Sequence, residues 1–185
     1  LVNNTVYDRI LDYLYVLSNL RDSLPQWNRK VVWASSSEGS VVATLAAPLV
    51  PESHLLILLG LGGGMTMADD MLLLTKKQMA GNGATQEEIE VALQGMRKQF
   101  DLIYRNPTPW EEWLSDGQTA RNTYKWWATI LHVKPLIFLE KLDIPIFLGH
   151  GTLDNSVPVE SADLVDKRFK DCLLYTSDAA DDGVG

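Results

Sequence analysis

The sequence predicts a three-layer α/β fold: a mostly parallel sheet with helices on both faces, interrupted by a helical cap insertion and truncated at both ends. Two observations predict it. Short apolar runs at Val31-Val32-Trp33-Ala34, Leu55-Leu59 and Ile144-Leu148 each lead through a loop into a helical pattern, the rhythm of parallel strands joined by crossover helices. From Met65 to about Leu139 that rhythm stops and the stretch reads as helical throughout.

Each element has a local cause. Asn4-Thr5 is an N-cap signal for a helix to about Leu24, with Val6, Ile10, Leu14, Leu17 and Leu20 forming one apolar stripe and Pro25 ending it. Val31–Ala34 reads as a buried strand. A serine cluster follows, then a small-residue helix over Ser40–Ala46, stopped near Pro48. The strand Leu55-Leu59 closes on Gly60-Leu61-Gly62-Gly63-Gly64. A helix around Ala68–Met79 ends at Gly81-Asn82-Gly83. Thr85 and Glu88 then form a capping box, in which each side chain takes an N–H that the helix leaves unbonded, opening an amphipathic helix to about Tyr104. Pro107-Thr108-Pro109 leads into Trp-rich stretches read as helical. Pro145 is tolerated near the start of the strand at Ile144–Leu148 because first residues can forgo a ladder N–H; Val159–Phe169 is the helix after its loop.

The expected organisation is a core segment over 1–64, a helical cap over 65–139, a second core segment over 140–171, and a tail over 172–185. The tail, from Cys172 through Asp182, breaks the amphipathic pattern without a cap or turn and resembles the conceptual translation of a transposase sequencing adapter. It is therefore set aside from the fold, and no further strand is expected beyond Lys170.

Composition narrows the partners. With 185 residues, 46% hydrophobic and 22% charged, the chain can bury a sizeable core. A net charge of −8 argues against a nucleic-acid partner, which calls for a basic face. The apolar runs are too short to span a bilayer. The single cysteine excludes a disulfide framework within the chain, which suits a cytosolic protein and many exported ones alike. No ligand set has metal-site spacing, and no cofactor is expected.

Ser35-Ser36-Ser37-Glu38-Gly39 lies between a strand and a helix, where a nucleophile elbow, G-x-S-x-G, belongs: its glycines make room for a sharp turn that holds the serine at strained angles. Gly39 supplies the second glycine and makes Ser37 the nucleophile; Ser35 stands where the first glycine belongs. The helix N-terminus then offers the backbone N–H of Glu38 to a developing oxyanion. The alternative is a serine cap or turn.

His150-Gly151-Thr152-Leu153-Asp154-Asn155-Ser156-Val157-Pro158 resembles the H-G-x-x-D-x-x-V-P segment of the α/β hydrolases. Together with the elbow and the cap between them, the resemblance to that family, in particular to capped esterases and to serine aminopeptidase-like or prolyl-oligopeptidase-like hydrolases, covers Val2 to Lys170. It implies that Asp154 is the acid of a Ser-Asp-His triad, orienting the histidine that takes the serine's proton, and that the substrate is a small-molecule or peptide ester, thioester or amide. The family's histidine follows the last strand and its second oxyanion donor precedes the elbow; neither is found here. His54, His132 and His150 read as structural or surface histidines, so the chain by itself is expected to be inactive. Asp69 and Asp70 are a weaker alternative for the acid. The replaced glycine also leaves open a non-catalytic binding protein of the same fold.

The glycine run fails the dinucleotide fingerprint G-x-G-x-x-G, because its last position falls on Met65 or Met67. A hinge, or backbone lining the site, explains those glycines. Trp110, Trp113, Trp126 and Trp127 are expected either to pack the cap or to line an apolar acyl pocket.

Overall fold

The computed structural model describes residues 5–105, 112–115, 118–169 and 174–177, without the side chains of 112–124 and 174–177. In chain order the elements are α1 (Val6–Ser23), β1 (Val31–Ser36), α2 (Glu38–Ala46), β2 (Ser53–Leu59), α3 (Met67–Gly81) and α4 (Gln86–Arg105). Then come β3 (Glu112–Ser115), β4 (Gln118–Thr123), α5 (Tyr124–Ile130), α6 (Leu136–Leu139), β5 (Ile146–Gly149), α7 (Val159–Phe169) and β6 (Leu174–Ser177).

The chain divides into two compact units, one of Arg9–Met65 with Lys134–Gly185, the other of Leu1–Asp8 with Thr66–Val133. In the first, the strands order β1-β2-β5-β6, all parallel. Consecutive parallel strands need crossovers, and α2 supplies the one between β1 and β2. Every residue of α2 from Ser40 to Ala46 is buried, which explains why its sequence is small and apolar all round. Leu56, Leu58 and Leu148 are buried in the sheet; each contributes about 1.5–3 kcal/mol relative to an exposed side chain.

Along α1, Val6 and Ile10 are buried and Leu14, Leu17 and Leu20 half-buried, as the stripe predicts. The rings of Tyr13 and Trp33 meet nearly perpendicular, with centroids 5.8 Å apart. Trp33 Nε1–H in turn donates to Ser53 Oγ at 2.8 Å. Arg21 grips Glu52 with two N–H···O bonds of 2.7 and 2.5 Å, which hold the Glu52 carboxyl below its ordinary pKa.

Three expectations need correction. β1 is not a buried strand: Val32 is 53% exposed, and among the described residues β1 has β2 as its one neighbour. A strand does follow Lys170, since Leu174–Ser177 runs parallel to β5 from Ile146↔Leu174 to Gly149↔Ser177. The outer edge of β5 offers unpaired N–H and C=O groups, and a Leu-Tyr-Thr run suits them. The insertion is not wholly helical, because β3 and β4 pair antiparallel. The Asp116-Gly117 dipeptide between them in sequence is a hairpin signal that the tryptophan pattern obscured.

In the second unit α3 and α4 enclose a core of Ala68, Phe100, Ile103 and Leu131, with Trp127 packed against it. Both helices begin with reciprocal caps. Thr66 Oγ accepts from Asp69 N–H at 3.1 Å and donates to Asp69 Oδ2 at 2.7 Å. Glu88 accepts from Thr85 N–H at 2.7 Å and from its hydroxyl at 2.8 Å, and these bonds lower the Glu88 pKa.

Candidate active site

The C-terminal ends of three strands stand abreast, with Ser36 opposite Leu59 and Leu59 opposite Gly149. At about 4.8 Å per strand, the loops leaving β1 and β5 start about 10 Å apart. Ser37 follows one and the Asp154 loop follows the other, on the edge where parallel α/β sheets bind ligands.

Ser37 adopts φ 50° and ψ −128°, in the region that favours glycine. Its N–H donates to Leu59 O at 2.8 Å, and its carbonyl accepts from Ser40 N–H at 2.9 Å. A non-glycine residue held there costs on the order of 1–3 kcal/mol, which the surroundings must offset. An ordinary serine N-cap has extended backbone and a side chain bonded to the first turn. Ser37 has neither: its side chain makes no cap bond with α2, and it is exposed. The turn presents the hydroxyl outward instead of using it.

The replaced glycine does not disturb this turn. A Cβ placed on Gly39 would lie 3.8 Å from Ser35 Cβ, an ordinary contact, so a serine fits at position 35. Ser35 Oγ lies 3.4 Å from Ser40 Oγ, which donates to Leu59 O at 3.2 Å. Glu38 begins α2, so its N–H belongs to the first turn, where intrahelical acceptors are lacking. Its carboxylate pairs with Arg9 Nη1 at 2.6 Å, tying the start of α2 to α1. Sequence reasoning missed Arg9 and Ser40; nothing in the spacing of Arg9 to Glu38 signals the pair.

Asp154 sits in the loop after β5. Its Oδ1 accepts from Ser156 N–H at 2.7 Å and Val157 N–H at 3.1 Å, an Asx-type turn. Its Oδ2 takes no hydrogen bond among the described residues and lies 3.8 Å from where a Gly60 Cβ would stand. Gly60 itself has φ 61°. One carboxylate oxygen holds the loop; the other faces the end of β2.

The glycine run is not a loose hinge. Leu61–Gly64 are buried, and Gly64 N–H donates to Ser161 O at 3.0 Å. A Cβ on Gly62 would lie 2.5 Å from Val157 Cγ1, and one on Gly64 2.3 Å from Ser161 O. Glycine is needed because α7 packs directly on this backbone.

The histidines have other engagements. His54 is second in β2, at the end away from Leu59, about 17 Å along a strand rising about 3.3 Å per residue. His132 stands edge-on to Tyr104 within the other unit. His150 Nε2 is 3.1 Å from Val157 O, and its buried Nδ1 has no hydrogen-bond partner among the described residues. Trp126 is buried and meets Trp127 edge to face at 4.9 Å. Trp110, like the side chain of Trp113, lies outside the described residues. No described helix is long and apolar enough to cross a membrane.

A four-stranded parallel sheet with a strained serine turn after one strand and an aspartate-bearing loop after another fits the core of an α/β-hydrolase fold. Solved structures share it. An esterase from Pyrococcus furiosus superposes with a TM-score of 0.54 at 17% identity, over 92% of this chain and 52% of its own. Est1E from Butyrivibrio proteoclasticus, with ferulic acid bound, gives 0.59 at 17% identity, over 95% and 60%. A structure from work on carboxylesterases of Nitrososphaera gargenis gives 0.52 at 13%, over 97% and 65%. The chain thus spans about half to two thirds of the length of these structures. No protein-family model matches the sequence, and no curated protein is similar to it.

Proposed function

We propose that the chain carries the nucleophile and acid of a serine hydrolase that cleaves an ester, thioester or amide through an acyl-enzyme. The observation that carries this reading is the backbone of Ser37: a serine at φ 50° whose hydroxyl caps nothing. Ser37 Oγ attacks the acyl carbon while its proton passes to a histidine supplied from outside this sequence. The carbonyl oxygen gains the negative charge and accepts the Glu38 N–H. Collapse expels the alcohol, thiol or amine, which leaves with the proton, and water then releases the acid. Asp154 Oδ2, left open by the loop, accepts the N–H of that histidine.

The test is hydrolysis of p-nitrophenyl acetate by the product of the complete gene and by its S37A and D154N variants. Loss of about 10³-fold or more in kcat is expected for each, in line with triads elsewhere. An S37A protein as active as the unaltered one sinks the proposal. The present sequence alone is expected to show no Ser37-dependent turnover, since a serine without its base is a poor nucleophile.

A further inference from the structure

Asp154 is held by a loop whose closure depends on a residue the chemistry above does not use. His150 is the first residue after β5 and is half-buried. Its Nε2 reaches across seven residues to the carbonyl of Val157 at 3.1 Å. A carbonyl has no proton to give, so Nε2 carries the hydrogen of this bond, and in a neutral ring the lone pair is then on Nδ1. Among the described residues the buried Nδ1 has no hydrogen-bond partner, which costs stability. An apolar side chain of similar volume would fill the same space without that cost. What the imidazole adds is therefore the Nε2–H donor.

The donor acts on the residue whose N–H also holds Asp154. Val157 N–H donates to Asp154 Oδ1 at 3.1 Å, while Val157 C=O accepts from His150. One residue is thus gripped at both backbone groups, by the histidine on one side and the carboxylate on the other. Ser156 N–H bonds the same Oδ1 at 2.7 Å, and Asp154 N–H returns to Gly151 O at 3.1 Å. The Val157 side chain packs on the backbone of Gly62 and completes the clamp. We infer that His150 is a positioning residue: it locks Val157 so that the Asp154 carboxylate keeps one oxygen bound and the other presented. The link to catalysis rests on the hydrolase reading; the lock does not.

Two variants separate the donor from the bulk. H150L fills the space without an N–H, and H150Q returns a donor at similar reach. In the full chain, amide exchange at Ser156 and Val157 is expected to speed up on the order of tenfold in H150L, the scale of one lost hydrogen bond. Exchange at Leu56 and Leu58 stays unchanged, and H150Q restores the protection. In the active product of the complete gene, H150L lowers kcat with KM unchanged and H150Q recovers it. Unaltered exchange in H150L, or an H150Q protein as exposed as H150L, overturns the lock. Should H150L fail to fold, nitrogen-15 spectra of the unmutated chain decide: an Nε2–H tautomer supports the lock and an Nδ1–H tautomer overturns it. Exchange as expected without Ser37-dependent hydrolysis would leave the lock standing and discard the hydrolase reading alone.

Discussion

Ser37 and Asp154 show two ways in which a side chain is committed by its backbone. Ser37 sits at a φ of 50°, where a Cβ is unwelcome, and its hydroxyl is left without a structural task. Replacing it with glycine relieves the strain, so S37G is expected to be more stable by about 1 kcal/mol and, on the proposed mechanism, to lose ester hydrolysis. Equilibrium denaturation checks this, and a destabilised S37G would mean that the turn is not strained. The proposed role of Asp154 rests on H-G-x-x-D in the sequence, and that of Ser37 on its register with Gly39. Arg9 was not legible, because its partner Glu38 lies on another element and an ion pair formed by tertiary packing leaves no local spacing. His150 was visible as part of its motif, but its bond to Val157 belongs to a loop conformation that no periodicity encodes.

At the level of elements, the helices with caps were the most readable parts, since a Thr with an acidic residue three places later states its own start. The strands were less so. β1 reads as apolar but has an exposed face, and β6 forms because β5 offers an edge, a cause outside its own residues. Glycines separate the two kinds of cause. Gly62 and Gly64 meet Val157 and Ser161 at 2.5 and 2.3 Å from an added Cβ, so G62A and G64A are each expected to lose roughly 1–3 kcal/mol or more. Gly95, inside α4, has nothing within 4 Å, so G95A is expected to gain about 0.5–1 kcal/mol. Thermal unfolding of the three variants checks both signs together. A G64A protein as stable as the original would contradict the close packing of α7 on this loop.

For the molecule as a whole, acid sensitivity follows from its bonded carboxylates. Arg21 lowers the Glu52 pKa, Thr85 backbone and hydroxyl lower that of Glu88, and the Thr5 hydroxyl and backbone lower that of Asp8. A depressed folded-state pKa adds stability that is complete above the unfolded-state value and lost as pH falls through the folded one. The melting temperature is therefore expected to hold through neutral pH and drop below about pH 4, with a shallower drop in an E52Q/E88Q double variant. An unchanged drop in that variant would place the acid sensitivity elsewhere. The fold class was readable at this scale because strand, loop and helix alternate in the sequence. The two compact units depart from the expected bounds, since Leu1–Asp8 group with Thr66–Val133 and Lys134–Leu139 with the sheet.

The most direct test of the central claim is to treat the product of the complete gene with a fluorophosphonate and locate the adduct by peptide mass spectrometry. The account predicts one covalent adduct, on Ser37, absent from S37A. A protein that turns over esters yet is labelled elsewhere, or a folded protein that is not labelled at all, would contradict it. The latter result would leave the strained turn as part of a binding protein built on a hydrolase fold.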